Sequence, residues 1–435
     1  MAKMRLTGDL KEFSTNSGFA KILGIRVVSQ SGDGMFQAGL ASLFIFRPEA
    51  MTDARGVALA LVVMLLPYSL IGPFVGPFLD HLRRQRILWW GNIARAFLVI
   101  VIAICMATIG VSAPVYVLAL ISLGLSRFML AGLSAALPRV IRDPAQLVAA
   151  NSLVPTVGGI ANGIGIACGF LLRLFLPAGL AQDVTSLGIA IALYIAAAFV
   201  ALTFKRDDLG PDLEALSSAS LLEQLRQSGR DLVSAVRYLV RRARPAGALA
   251  TMTANRFVYG LELVSIILIA RNLLAEPTDA DKGLEYFGFL FGMLALGYFA
   301  SVFITPIAHE KIKPSLWIVV CLIGGSIGQI LVAIRPQPVL LAVGLFIFGV
   351  GAQGAKIAVD SIVQADTADE YRGRAFSLYD VLFNVAECAA ALLCIAVLPP
   401  DGFSTTVQLV FVVFIWLVAG AWWLLARSLA DRPRP

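Results

Sequence analysis

The stretch GPFVGPFLDHLRRQR, residues 72–86, decides how the rest of the chain reads. An apolar run ends at Asp80, the sequence turns basic through Arg83, Arg84 and Arg86, and a second apolar run starts at Ile87. Gly76 removes a side chain where two helices can approach closely. Asp80 can face the positive N-terminus of a neighbouring helix. The arginines resist transfer across a bilayer, so they tether a short connection to one side of it.

Working outward, the chain has 435 residues, of which 58% are hydrophobic and 14% charged. A soluble protein would carry about a quarter charged residues. The mean hydropathy is +0.82. A bilayer core needs about 20 apolar residues per helix. Twelve segments meet that length: 19–45, 56–79, 87–109, 114–138, 149–176, 184–204, 246–271, 283–306, 314–334, 338–363, 374–398 and 405–426. The expected fold is therefore all-α, with twelve membrane helices in two six-helix bundles. The expected domains are 1–204, a linker at 205–245 and 246–435. Within the linker, Leu222, Leu225, Leu232, Val236 and Leu239 recur at helical spacing among arginines, predicting an amphipathic helix on the membrane surface.

The net charge is +7. Both termini and the connections 80–86, 139–142, 205–244, 309–313 and 372–374 carry 23 of the 35 basic residues. The positive-inside rule then puts both termini and the long middle connection in the cytoplasm of a multi-pass cell-membrane protein. Topology accounts for the basic excess, and no nucleic acid is needed. Cys105, Cys168, Cys321, Cys388 and Cys394 all fall in apolar runs without metal-ligand spacing, so they read as buried thiols. His81 and His309 are expected in loops, and no metal set or cofactor is implied. The first 18 residues lack the pattern of a cleaved signal peptide.

Residues 72–86 resemble the signature loop of the major facilitator superfamily, Gly-x-x-x-Asp-x-x-x-Arg-Arg between the second and third helices. Gly76, Asp80, Arg83, Arg84 and Arg86 carry the match, with His81 in place of the usual basic residue. The resemblance implies that this cluster gates transport by latching the outward-facing state. TPIAHEKIK, residues 305–313, is a degenerate echo in the second half, with Thr305 for the glycine and His309 for the Asp. SRFMLAG at 126–132 resembles the arginine-containing motif of the fourth helix through Arg127. GGIANGIGIACG at 158–169 is glycine-rich like the antiporter motif of the fifth, without its Gly-Pro pair. DEYRGRAFSLYDVLFN, residues 369–384, is similar to the macrolide-efflux and enterobactin-exporter branch.

Ten ionisable residues lie well inside the expected spans, away from their ends: Arg26, Asp33, Arg95, Arg127, Arg256, Glu262, Lys356, Asp360, Asp380 and Glu387. Each costs at least about 2.5–3.5 kcal/mol near the bilayer centre, so each needs a partner or a wet cavity. Seven lie on spans 1, 4, 7 and 10, which line the central cavity in the superfamily. Arg26, Gln30, Asp33 and Gln37 make one polar stripe on the first span, and Gln353, Lys356, Asp360 and Gln364 one on the tenth.

Asp33, between Gly32 and Gly34, reads as a midplane carboxylate for a proton or a substrate cation. The alternative is a structural Asp–Arg pair, with Arg127 as the expected partner. Glu262 and Glu387 are further proton carriers. Arg26, Arg127 and Arg256 can hold an anionic head group. Lys356, Asp360 and Asp380, with Arg256, form an expected gate, and Arg95 reads as structural.

The leading functional expectation is a monomeric secondary transporter that exports a lipophilic or amphipathic small molecule against protons. The alternative cargo is an anionic amphiphile such as a lysophospholipid or siderophore. From another class, a transport-inactive sensor or scaffold remains open. No Ser/His constellation, metal set or ATPase motif points to an enzyme or to direct ATP drive.

Overall fold

A computed structural model describes residues 16–45, 55–59, 61–62, 82–110, 112–141, 144–172, 175, 180–205, 207–210, 221–276 and 279–430. Among these residues there is no strand. The helices are α1 (Ser17–Ile45), α2 (Arg84–Ile109), α3 (Ala113–Val140), α4 (Pro144–Leu171), α5 (Leu180–Leu202), α6 (Leu221–Arg241), α7 (Ala243–Asn272), α8 (Ala280–His309), α9 (Pro314–Ile334), α10 (Pro338–Asp366), α11 (Asp369–Val397) and α12 (Thr405–Ala430). Ten of them are long and apolar enough to cross a membrane. The other two are α6, the expected amphipathic helix, and α1, whose polar stripe lowers its hydropathy. Of the expected second span, 56–79, only residues 56–59 and 61–62 are described, and they are helical.

Local chemistry sets the boundaries. Pro314 and Pro338 open α9 and α10 within the first turn, where a missing N–H costs nothing and the fixed φ suits a helix. Asp279 caps α8 by accepting from the Lys282 N–H at 3.0 Å. The echo stretch departs from its expected loop: Thr305 and His309 belong to α8. Thr305 is buried, and its hydroxyl accepts from Trp317 Nε1 at 3.3 Å.

The described residues fall into two compact units: the first is drawn from Met1–Leu43 and Leu70–Ser228, the second from Phe44–Ser69 and Gly229–Pro435. In the first, Phe19, Ile22 and Ile25 of α1 share a core with Leu88 of α2, Met129 and Leu133 of α3, Val154 of α4 and Ala201 of α5. In the second, α7 is the enclosed helix, buried at every residue from Val258 to Arg271. Its neighbours expose large apolar side chains outward, Leu417 and Ile307 among them, as expected of surfaces solvated by lipid. Cys321, Cys388 and Cys394 are buried, but Cys105 is half-buried and Cys168 exposed, so the expectation of five buried thiols holds for three.

Close helix approach depends on missing side chains. At Gly328 of α9, an added Cβ would overlap the Gly344 carbonyl of α10; at Gly34 of α1 it would overlap the Asn162 carbonyl of α4. The backbone of α4 fills the space beside Gly34. Overpacking such a contact costs about 1–3 kcal/mol. Gly34→Val is therefore expected to lower the Tm of the detergent-purified protein by several degrees. Gly24→Ala, where a Cβ meets nothing within 4 Å, should leave Tm unchanged or raise it.

Candidate functional site

Asp33 and Arg95 form the densest polar cluster of the first unit. Arg95 Nη1 donates to Asp33 Oδ1 at 2.6 Å, with the two side chains 0% and 5% exposed. The same oxygen accepts from Ser126 Oγ at 3.0 Å and Tyr194 Oη at 2.8 Å. Arg95 Nη2 reaches Ser29 Oγ at 2.6 Å and also Asn92 Oδ1. The guanidinium lies over the Tyr194 ring, 4.2 Å from its centroid. Thus α1, α2, α3 and α5 converge on one neutralised pair. Gly32 is why Tyr194 fits: a Cβ there would press on the tyrosine ring at 2.9 Å. The partner expected for Asp33 was Arg127; the structure gives it Arg95, one helix earlier in the chain.

Arg26, two turns before Asp33, is buried, and its Nε donates to Gln30 Oε1 at 2.7 Å. Gly158 of α4 makes this possible, since a Cβ there would collide with Gln30 Oε1. Arg26 Nη1 is buried without a hydrogen-bond partner among the described residues. The charges of Arg127 and Asp33 are both within electrostatic reach of Arg26. Two guanidiniums close together disfavour a third cation and favour an anion.

The second unit sorts its carboxylates differently. Glu387 pairs with Arg256, Nε to Oε2 at 2.9 Å. Arg256 also donates to Tyr298 Oη at 3.3 Å, and it is sandwiched between the rings of Tyr259 and Phe383 at 3.8 and 3.9 Å. Such stacking stabilises a desolvated guanidinium by about 2 kcal/mol. Arg256 was expected beside Lys356, Asp360 and Asp380, but Glu387 takes its charge. Lys356 and Asp360 pair with each other at 2.7 Å along α10, as their spacing implies. Asp380 is exposed, and its backbone carbonyl accepts from Asn384 Nδ2 at 2.7 Å.

Glu262 stands apart. It is buried on α7, and its oxygens accept from two carboxamides: Gln329 Nε2 of α9 at 2.9 Å and Gln408 Nε2 of α12 at 3.2 Å. Among the described residues no cation pairs with it. Gln329 Oε1, Gln408 Oε1 and Ser265 Oγ are buried without hydrogen-bond partners among the described residues. The Cys394 thiol of α11 lies within electrostatic reach.

Of the loop residues, Gly76 and Asp80 lie outside the described residues. Arg83 pairs with Asp207 at 3.2 Å, and Arg84 Nη1 donates to the Leu209 carbonyl at 3.1 Å. The Arg84 N–H donates to the Gly210 carbonyl at 3.0 Å. These two arginines thus meet the segment following α5, and Arg86 is exposed.

Reading the sequence alone missed Tyr194, Ser126, Gln329 and Gln408. Each is one polar group in an apolar helix, and only packing reveals what it faces. The Asp33–Arg95 arrangement gives a direct test. Removing one partner of a buried pair costs about 3–5 kcal/mol, because the other charge stays buried alone. Asp33→Asn and Arg95→Gln should each lower Tm markedly in detergent, and the double substitution by less than the sum. Additive losses would mean that the two residues do not act as a pair.

The profile of the Major Facilitator Superfamily matches residues 34–391. An uncharacterized MFS-type transporter of Mycobacterium tuberculosis is 31% identical over 399 residues, 91% of this chain and 87% of the relative. A Mycobacterium bovis relative matches to the same extent. Among solved structures, a nucleoside transporter superposes with TM-score 0.67 at 13% identity, over 93% of this chain and 98% of that one. A peptide transporter does so with TM-score 0.68 at 12% identity, over 93% and 94%. At such identities the structural likeness shows the fold. The matched profile covers most of the chain and the mycobacterial relatives most of its length: this protein belongs to the Major Facilitator Superfamily.

Proposed function

We propose that the chain is a proton-coupled secondary transporter that exports a small amphipathic molecule with an acidic head group. The observation that carries this reading is the environment of Glu262. Three carboxylates lie buried in the described helices with resolved partners. Asp33 and Glu387 are neutralised by arginines, which suits a structural or switching role. Among the described residues, Glu262 hydrogen-bonds only to neutral amides. A membrane carboxylate without a cation is suited to exchange a proton, since charge at that depth is costly. Its two glutamines accommodate either state. Each now donates an N–H; after a half-turn of the carboxamide, the free Oε1 accepts from a protonated Glu262.

The acidic head group is supported by Arg26, with a buried unpartnered Nη1 and Arg127 nearby. Asp33, the expected counter-ion for a cationic cargo, already accepts three hydrogen bonds on one oxygen, which weighs against cationic drugs. The similarity of residues 369–384 to the efflux branch supports export over uptake, and the distribution of basic residues supports a cytoplasmic-membrane location with inward termini.

Proteoliposomes with a pH-sensitive dye inside test the coupling. Glu262→Gln should abolish substrate movement driven by a pH gradient while keeping substrate-stabilised Tm shifts. Retained pH-driven transport would remove Glu262 from the coupling. Arg26→Gln should weaken the Tm response to lysophospholipids or catecholate siderophores by at least about tenfold, the worth of one charge-assisted hydrogen bond. Shifts with lipophilic cations alone, unaffected by Arg26→Gln, would return the cargo to the cationic class.

A further inference from the structure

We propose that α6 docks on anionic lipid at the membrane surface. The helix carries three parallel stripes. The first is fixed to the protein. Ala235 and Leu239 are buried, and Tyr238 stacks on Tyr371 with ring centroids 4.1 Å apart and planes 4° from parallel. Tyr238 Oη accepts from the Ala368 N–H at 3.0 Å. Asp231 pairs with Arg374 at 3.3 Å. Below the helix, Arg244 pairs with Asp366 at 3.1 Å and Arg242 Nη1 donates to the Asp366 carbonyl at 3.3 Å. The junction between α10 and α11 therefore sets the rotation of α6 about its axis.

That rotation turns two other stripes outward. Val233, Val236 and Val240, at i, i+3 and i+7, are exposed, Val240 by 68%. Beside them run Arg230, Arg237 and Arg241, also exposed. An exposed apolar row bordered by one row of cations is the pattern of a helix lying in the bilayer interface, with aliphatic side chains at the acyl boundary and guanidiniums at phosphates. An acidic peptide or a nucleic acid would satisfy the arginines and leave the valines in water. Chain continuity supplies the second argument. Only Arg242 separates α6 from α7, which is long and apolar enough to cross the membrane. At about 1.5 Å per residue, Val240 and Arg241 lie within one turn of the start of that helix. The occupant of this face is thus a lipid surface bearing negative head groups. Because the opposite face holds residues 366–374, lipid charge acts on the junction that leads into α11.

The full-length protein in nanodiscs tests this, with a fluorescent unnatural amino acid at position 236 and spin-labelled lipid as quencher. Phosphatidylglycerol discs should quench strongly, phosphatidylcholine discs weakly, and added salt should reverse the difference. Arg230→Gln, Arg237→Gln and Arg241→Gln should each raise the phosphatidylglycerol fraction needed for half-quenching by about fivefold, with Tm unchanged because all three are exposed. Val233→Ser with Val240→Ser should reduce quenching in both discs. Equal quenching in the two lipids would overturn the anionic requirement. No quenching in either would place α6 off the bilayer and assign its outer face to a soluble partner.

Discussion

The Asp33–Arg95 cluster of the first unit is arranged around one requirement: a guanidinium removed from water in a membrane helix must have its charge neutralised and most of its donors bonded. Arg95 meets it through Asp33, Ser29, Asn92, Ser126 and the ring of Tyr194. Four helices supply those groups, so the pair dictates where α1, α2, α3 and α5 stand. The glycines follow from it. Gly32 admits Tyr194, and Gly34 lets α1 close on α4. An arginine and an aspartate that would each be prohibitively placed alone become together a reason for one packing over others.

The second unit solves the same problem in two ways. Arg256 and Glu387 neutralise one another, and two aromatic faces stand in for the water that Arg256 has lost. Glu262 has carboxamides as its only hydrogen-bond partners among the described residues. That difference is the basis on which Glu262, and not Glu387, is proposed as the proton carrier. It also moves attention from Asp33, the most conspicuous charge in the sequence, to a residue whose neighbours sit on α9 and α12. In the first unit, Arg26 Nη1 is buried with no acceptor among the described residues, the observation on which the proposed acidic head group rests.

Arginines outside the membrane segments are organised as well as plentiful. Arg83 and Arg84 engage residues 207–210, while Arg242, Arg244 and Arg374 fasten α6 and the start of α7 to the 366–374 junction. The first two belong to the motif loop and now have partners in the segment following α5. The rest make α6 a docked element with a defined outer face, although its sequence reads simply as an amphipathic linker.

Membership of an all-α membrane fold was legible because apolar run length is a local property. A stretch of about 20 apolar residues needs no partner to be recognised. The spacing of polar residues along one helix was legible for the same reason, which is how Asp33, Glu262 and the Lys356–Asp360 pair were found. Partner choice was not legible. Arg95 and Arg127 are chemically equivalent arginines on neighbouring helices, and only the packing of α1 against α2 decides which one reaches Asp33. Gln329 and Gln408 carry no signal of their own until α9 and α12 bring them to Glu262. The sequence by itself determined which charges enter the membrane, because periodicity and hydropathy are written along the chain. The tertiary structure decided which of those charges are neutralised and which stand alone, because that depends on distances between helices far apart in sequence.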